Sequence, residues 1–475
     1  MNDTTAWDRR LSVEPTGKNL IGHTGAVLLR RLADRTGLAH HLAQALPTST
    51  GNRWRDRTGV LIEAAIAIVL GARNLSDVER LGAHHTPLLG APTSDSTLWR
   101  TLAAIDQTLL EGINQARAKT RRHVWNLLAL RPGGFPTLQV AGKKLTGWIV
   151  VDMDATIITA SSNKERATGT FKKTFGFHPL AAWCANTYEC LAMELRKGNA
   201  GSNTAFDHRT VLDQALTQIP GSSRAKILVR IDGAGATHEL LDHLEGLGTT
   251  RRTVRYTVGW SITTADEEAI AALPEAAWHA ALHQDATTDG EYQVPELSGL
   301  STRPGWPQGL RLIVRRVRPS GRHAKNLTAL EKRTGWKYSI TATNINRMWG
   351  IGGSHQPQWL DALHRHHAVV EDRVRCDKAM GLSNLPSQSW TVNRSWVLAA
   401  NIAHDLDAWL RLLTLHDDEE LVVAEPMTMR YRLYHLPAKL TRHARYRVLA
   451  IERTWPWAQA FTTCWRRLGA LPELR

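Results

Sequence analysis

The run Ile149-Val150-Val151-Asp152-Met153-Asp154-Ala155-Thr156 sets two carboxylates into an apolar, strand-like stretch. Strand side chains alternate faces, so Asp152 and Asp154 point one way and Val151 and Met153 the other. An unpaired carboxylate is costly to bury, so such acids are held with a metal, a proton or a cationic side chain. Two more carboxylates are placed to complete such a site. Asp232 ends the run Ile227-Leu228-Val229-Arg230-Ile231, and Glu371 lies on a helical stretch with His364, His367 and Lys378. Oxygen donors gathered in this way suit hard divalent cations. In a chain this basic, they suit chemistry on phosphodiesters.

The elements that must position these acids occupy a chain of 475 residues with a formal charge of +15. That length allows a large core and several domains. The charge favours a polyanionic partner, most simply nucleic acid, over a solubilising surface alone. Cys184, Cys190, Cys376 and Cys464 show no paired zinc-ribbon spacing and read as reduced thiols of a cytoplasmic protein. The start of the chain has no signal-peptide pattern. The most apolar stretch, 60–70, is interrupted by Glu63 and is too short to span a bilayer. It reads as a buried core helix, and no membrane partner is expected.

Residues 1–19 read as a loose arm. From Thr24 the pattern is helical, with Thr24 as cap and Gly37 as terminator. Helices follow over 57–72 and 76–83. In Pro92-Thr93-Ser94-Asp95-Ser96-Thr97-Leu98-Trp99-Arg100, Pro92 breaks, Ser94 caps, and Ser96, Thr97 and Arg100 stand near a helix N-terminus. That is where a helix–turn–helix reader offers side chains to DNA; an ordinary capped helix is the alternative. A basic helix carrying Arg117, Lys119, Arg121 and Arg122 precedes a Pro-Gly-Gly turn and marks a domain junction. Strands are expected at 148–154, 177–183 and 190–196, then a helix at 205–218, a strand at 226–232 and a helix at 236–246. Three antiparallel strands followed by helix-linked strands form an α/β layered fold. Residues 250–345, rich in Thr, Val, Trp and Arg, read as a mainly β insertion. Long helices return over 357–415. The end is basic, with Arg442, Arg445 and Arg447, and holds Trp455-Pro456-Trp457.

Asp154-Ala155-Thr156, Asp232-Gly233 and Glu371 with Lys378 occur in an order and spacing that resemble the RNase H-like DDE transposases of bacterial insertion sequences. The resemblance is to the group with a Tyr-x2-Arg-x3-Glu-x6-Lys signature, and more narrowly to the IS-thirteen-eighty group. His364 and His367 stand where that signature has Tyr and Arg. Phe177-His178-Pro179-Leu180 and Arg196-Lys197-Gly198-Asn199-Ala200 also resemble family strand motifs. The resemblance implies an RNase H-like catalytic core over 141–249 and 346–420, interrupted by the β-rich insertion at 250–345. A helical, all-α DNA-binding region over 1–140 precedes it and a basic region over 421–475 follows. It implies Asp154, Asp232 and Glu371 as catalytic metal ligands for two Mg²⁺ or Mn²⁺ ions. It further implies a bacterial, nucleoid-associated homodimer that cuts and joins double-stranded DNA at terminal inverted repeats and target sites. A DNA-binding relic and an RNase H-like nuclease are the competing readings.

Asp152 competes with Asp154 as first metal ligand; Thr156 favours Asp154, as in the motif, and Asp152 is otherwise an acid paired with an arginine. Arg230 either pairs with Asp232 or reaches DNA. On one helix, His364, His367, Glu371 and Lys378 share a face that either contacts phosphate and holds one metal ligand or is a solvated charged face; His-x2-His with a glutamate lacks the spacing of a zinc motif. Trp260, with Trp278 and Trp306, is a candidate for stacking on a flipped base or for the core. Arg311 and Arg315, an even step apart, fall on one face of a strand that is either phosphate-binding or a solubilising edge.

Overall fold

The computed structural model describes residues 17–46, 56–161, 163–201, 204–300, 304–321, 327–444 and 446–472. The arm expected at 1–19 lies almost wholly outside these residues, and so does Arg445.

Apart from a two-residue strand, Leu20–Ile21, the described residues up to Leu130 form helices: α1 (Gly25–Arg35), α2 (Leu38–Ala45), α3 (Arg57–Leu70), α4 (Leu75–Ala83), α5 (Thr86–Leu89), α6 (Asp95–Ala103) and α7 (Gln107–Leu130). Small polar residues start most of them. Asp56 accepts from the Thr58 and Gly59 amides, Asn74 from Asp77, Ser94 from Thr97 and Asp106 from Leu109. Thr24 makes no such bond at the start of α1.

The rest of the chain builds a nine-stranded sheet. Its strands are β1 (Ile149–Ala155), β2 (Leu180–Cys184), β3 (Cys190–Glu194), β4 (Lys226–Ile231), β5 (Thr253–Trp260), β6 (His279–Leu282), β7 (Thr288–Val294), β8 (Arg311–Val317) and β9 (Lys337–Thr343), in the spatial order β6-β7-β8-β9-β5-β4-β1-β2-β3. β1, β4 and β5 are parallel neighbours, and the remaining pairs are antiparallel. The β-rich stretch at 250–345 therefore continues the central sheet. The strand expected at 177–183 begins only at Leu180. Pro179 has no amide to donate to a ladder, and Phe175–Phe177 joins a separate small sheet.

Helices α8 (Ala205–Gln218), α9 (His238–Gly246), α10 (Pro357–Arg365), α11 (Val370–Asp377) and α12 (Trp390–Thr414) pack on the sheet, and α13 (Ala458–Ala470) packs on α1 and α12. The long helix α12 is buried along nearly its whole length and packs on α3, α7 and β3. Among the described residues no single helix is long and apolar enough to cross a membrane. The apolar α3 is one of the helices packed on α12.

The basic helix expected near 117–122 is present within α7; it exposes Lys119 and Arg122 and turns its other two arginines inward. Arg117 and Arg121 on α7 are fully buried. Arg117 donates to Asp405 of α12 at 2.7 Å, and Arg121 donates to Glu189 at 2.6 Å and also pairs with Asp405. The Trp125 and Trp409 indoles donate to Glu189 at 2.8 and 2.6 Å. Buried charges persist only when paired and hydrogen-bonded; here each has its partner, and the network ties α7 to the β2–β3 turn and to α12.

Candidate active site

Parallel pairing of β1 with β4 decides the surroundings of each acid. Arg230 is the register partner of Asp152, and Ile231 of Met153. The bidentate pair follows directly: Arg230 donates to both Asp152 oxygens at 2.7 Å. His367 adds a contact from Nδ1 to Asp152 at 3.1 Å, and Arg230 also donates to the Leu363 carbonyl at 3.2 Å. Burial opposes ionisation of Asp152, but Arg230 and His367 outweigh it and hold this carboxyl well below the usual carboxylate range. Asp152 is thus a structural anion, and Arg230 reaches neither Asp232 nor a surface.

One step further along, the ladder ends and the acids are no longer neutralised. Asp154 is half-buried at the end of β1, and Asp232 follows the end of β4 and is exposed. Asp232 starts a tight turn, accepting from the Ala234 amide at 3.0 Å. The helical path from α10 through the 3₁₀ turn His366–Val369 into α11 runs beside this row. Four helical residues advance about 6 Å and two strand residues about 6.7 Å. His367 therefore meets Asp152 while Glu371 comes alongside Asp154. Burial raises the Asp154 pKa from 3.8 to about 6; the Ala155 amide opposes the rise, and the charges of Asp232 and Glu371 add to it. Lys378, half-buried, lies within electrostatic reach of Asp154 and Lys172.

Among the described residues, no three His, Cys, Asp or Glu side chains converge tightly enough to form a ready-made metal cage. Asp154, Asp232 and Glu371 are electrostatic neighbours rather than a closed coordination sphere. Their chemistry still fits a hard divalent cation. All three offer oxygen, and the burial and repulsion that lift Asp154 are what a bound cation would offset.

The raised Asp154 pKa sets a pH dependence. The folded state holds the Asp154 proton more tightly than the unfolded chain does. The corresponding stability is fully present below about pH 4 and is lost as pH rises through about 6. Thermal unfolding in EDTA should show that loss, and added Mg²⁺ should raise the unfolding temperature clearly above pH 6 and little below pH 5. Equal stabilisation at both pH values would count against a cation on Asp154.

The structure also adds residues that motif spacing misses. Gly259 of β5 lies against the turn that carries Asp232. A Cβ there would sit 2.7 Å from the Gly233 nitrogen and 3.1 Å from the Asp232 carbonyl carbon. Gly259→Ala must therefore push that turn away. Misplacement of a reacting group by about 1 Å can cost roughly 10²-fold in rate, so this variant should lose the activity of the acidic site to about that extent, and its unfolding temperature should fall as well because the clash is with main chain. His178 and His208 flank Asp232: burial lowers both rings' pKa, and the Asp232 charge works against that fall in each. His178 belongs to a segment legible in the sequence, whereas nothing local marks His208.

The other expected contacts separate. His364 and His367 do not share a phosphate-facing surface with Glu371. Their rings stack at 6.3 Å and face the sheet, where His364 hydrogen-bonds Thr257 at 3.1 Å. Burial lowers the His364 pKa to about 3, so its ring is neutral. The 3₁₀ turn breaks the single helical face on which their grouping rested. Arg311 is turned inward, donating to Glu296 at 2.9 and 2.6 Å and to the Ile345 carbonyl at 2.6 Å. Arg315 lies 3.8 Å from Asp361 and 5.7 Å over Tyr292. The even step does place both arginines on one face, but that face lies under α10. Trp260 is buried edge-on against Trp306 at 4.4 Å, a core residue rather than a base-stacking one. Arg100 remains exposed on α6 beside Trp99, itself 44% exposed.

The molecule is thus an α/β protein with an acidic site at the ends of adjacent parallel strands and a glutamate-bearing helix alongside. The chain matches the family model "Transposase DDE domain group 1" over residues 4–473, and it belongs to that family. Among solved structures it is similar to a piggyBac transposase synaptic complex with hairpin DNA, at 10% identity and a TM-score of 0.40, over 86% of this chain and 78% of that one. No curated protein matches it.

Proposed function

We propose that this protein is a DNA transposase of a bacterial insertion sequence, of the IS-thirteen-eighty type. In this reading a homodimer binds terminal inverted repeats and excises and joins DNA by cut-and-paste transfer. Family membership supports the class. The observation that carries the mechanism is the crowding of Asp232 and Glu371 on Asp154, beside an Asp152 already neutralised by Arg230. The strand order β3-β2-β1-β4-β5, antiparallel and then parallel, supports an RNase H-like core. We assign 1–140 to DNA binding through α6 and Arg100, 141–249 and 346–420 to the core, 250–345 to the insertion and 421–475 to a basic C-terminal region.

Asp154, Asp232 and Glu371 would hold two Mg²⁺ or Mn²⁺ ions. Divalent ions so held lower the pKa of water and stabilise a leaving oxygen. Within this scheme Asp154 gives up its proton on binding, which its position at the end of β1 makes easy above pH 6. Lys378 neutralises a phosphate beside the acids. The Asp152–Arg230–His367 cluster holds β1, β4 and the α10–α11 path at fixed spacing.

The test is purified protein on a supercoiled plasmid bearing the element's ends, with Mg²⁺, with EDTA, and with Glu371→Gln. Nicking or excision with Mg²⁺ that disappears in both controls supports the assignment. Binding of the ends without cleavage in any divalent metal would make the chain a DNA-binding relic. Hydrolysis without strand transfer would make it a nuclease.

A further inference from the structure

Two strands outside the central sheet, β10 (Ala438–His443) and β11 (Tyr446–Ile451), form an antiparallel ribbon near the C-terminus. A third strand, Leu20–Ile21, supports only its base, pairing with Ala438 and Lys439. The register sorts its side chains. On one face lie Ala438 with Ile451, Leu440 with Leu449, and Arg442 with Arg447. The first pairs are buried or half-buried, and the last stands free of the body. On the other face lie Lys439 with Ala450, Thr441 with Val448, and His443 with Tyr446, exposed throughout. Tyr446 is 76% exposed and Val448 49%.

This is an unusual way to finish a ribbon. Like charges directly opposed across two strands are destabilising, and a two-stranded ribbon alone is marginal in water. Arg442 and Arg447 are so opposed, and among the described residues neither they nor Lys439 pairs with a carboxylate. No Asp or Glu occurs between Glu425 and Glu452. Of the other arginines there, Arg430 is buried on main-chain carbonyls and Arg432 is paired with Glu420, so the uncompensated charge gathers at the ribbon. A polyanion bound there would turn the opposed arginines from a cost into a gain.

We propose that the β10–β11 ribbon is a duplex-DNA contact, with Arg442 and Arg447 on backbone phosphates. A two-stranded ribbon fits the width of a major groove. The proposal rests on the transposase reading for its choice of polyanion, but not on the acidic site.

The test is fluorescence anisotropy of the full chain with an arbitrary duplex of about 30 base pairs, in EDTA, across roughly 50–200 mM salt. For Arg442→Ala/Arg447→Ala, the slope of log affinity against log salt should fall by about 2 and affinity by tenfold or more. Lys332→Ala/Arg333→Ala, which removes an exposed basic pair elsewhere, should change neither. Arg447→Glu sets a carboxylate opposite Arg442; it should keep or raise the unfolding temperature and still weaken binding, which separates lost contact from lost fold. An unchanged slope in a folded ribbon variant overturns the proposal, even if wild type cleaves DNA. A ribbon variant that alters sedimentation of the protein alone and leaves DNA binding intact also overturns it, because the occupant would then be a second copy of the chain. Reduced binding with the predicted slope upholds it, even if no cleavage is seen.

Discussion

Asp154→Asn is expected to reduce Mg²⁺-dependent DNA cleavage by about 10³-fold, because a bound metal supplies several kcal/mol of charge stabilisation and each 1.4 kcal/mol is tenfold in rate. The same change should leave duplex affinity in EDTA near wild type. It should also stabilise the metal-free protein above about pH 6, since it removes a charge that the fold crowds against Asp232 and Glu371. Asp152→Asn should show a different signature. It leaves the fully buried Arg230 facing a neutral amide, so its first effect is on stability. Parallel measurement of cleavage rate and of unfolding temperature in EDTA separates the two acids. If Asp152→Asn alone abolished cleavage in a well-folded protein, and Asp154→Asn did not, the assignment would be reversed.

The second large effect concerns Arg230. Its side chain is wholly buried, and its partner Asp152 is nearly so. Removing one member of a buried ion pair strands the other, at a cost of about 3–5 kcal/mol. Arg230→Met should lower the stability from urea unfolding by about that amount. Asp152→Leu combined with Arg230→Met should recover much of the loss, because a pair replaced by apolar groups of similar volume is often neutral. A loss below about 1 kcal/mol for the single variant would show that water or another cation reaches Asp152, and that the pair is not the buried clamp drawn here.

Much of this site is legible in the residues themselves. Alternation in 149–155 marks a strand with two acids on one face, and the run 227–231 marks its neighbour. Ser94 starts a helix where its side chain can cap one. These readings depend only on near neighbours in sequence, and local geometry acts there. The basic helix at 117–122 is legible in the same way, but the burial of two of its arginines is not. The partners of Arg117 and Arg121 are Glu189 and Asp405, supplied from far along the chain. The same holds for Arg311 and Arg315, since α10, which covers them, arrives only after the sheet is complete.

By itself, then, the sequence determined the chemical inventory: strand-borne aspartates, a helix-borne glutamate, a chain basic enough for a polyanion and an α/β alternation of elements. Strand alternation could not separate Asp152 from Asp154, because it places both on one face; Thr156 favoured Asp154 only through the motif resemblance, without a physical reason. The pairing of β1 with β4 supplies that reason. The register brings Arg230 beside Asp152 and ends before Asp154, so one acid meets a buried cation and the other meets two carboxylates. A lone strand specifies the face on which a side chain lies; its neighbours in the sheet decide what charge it meets there.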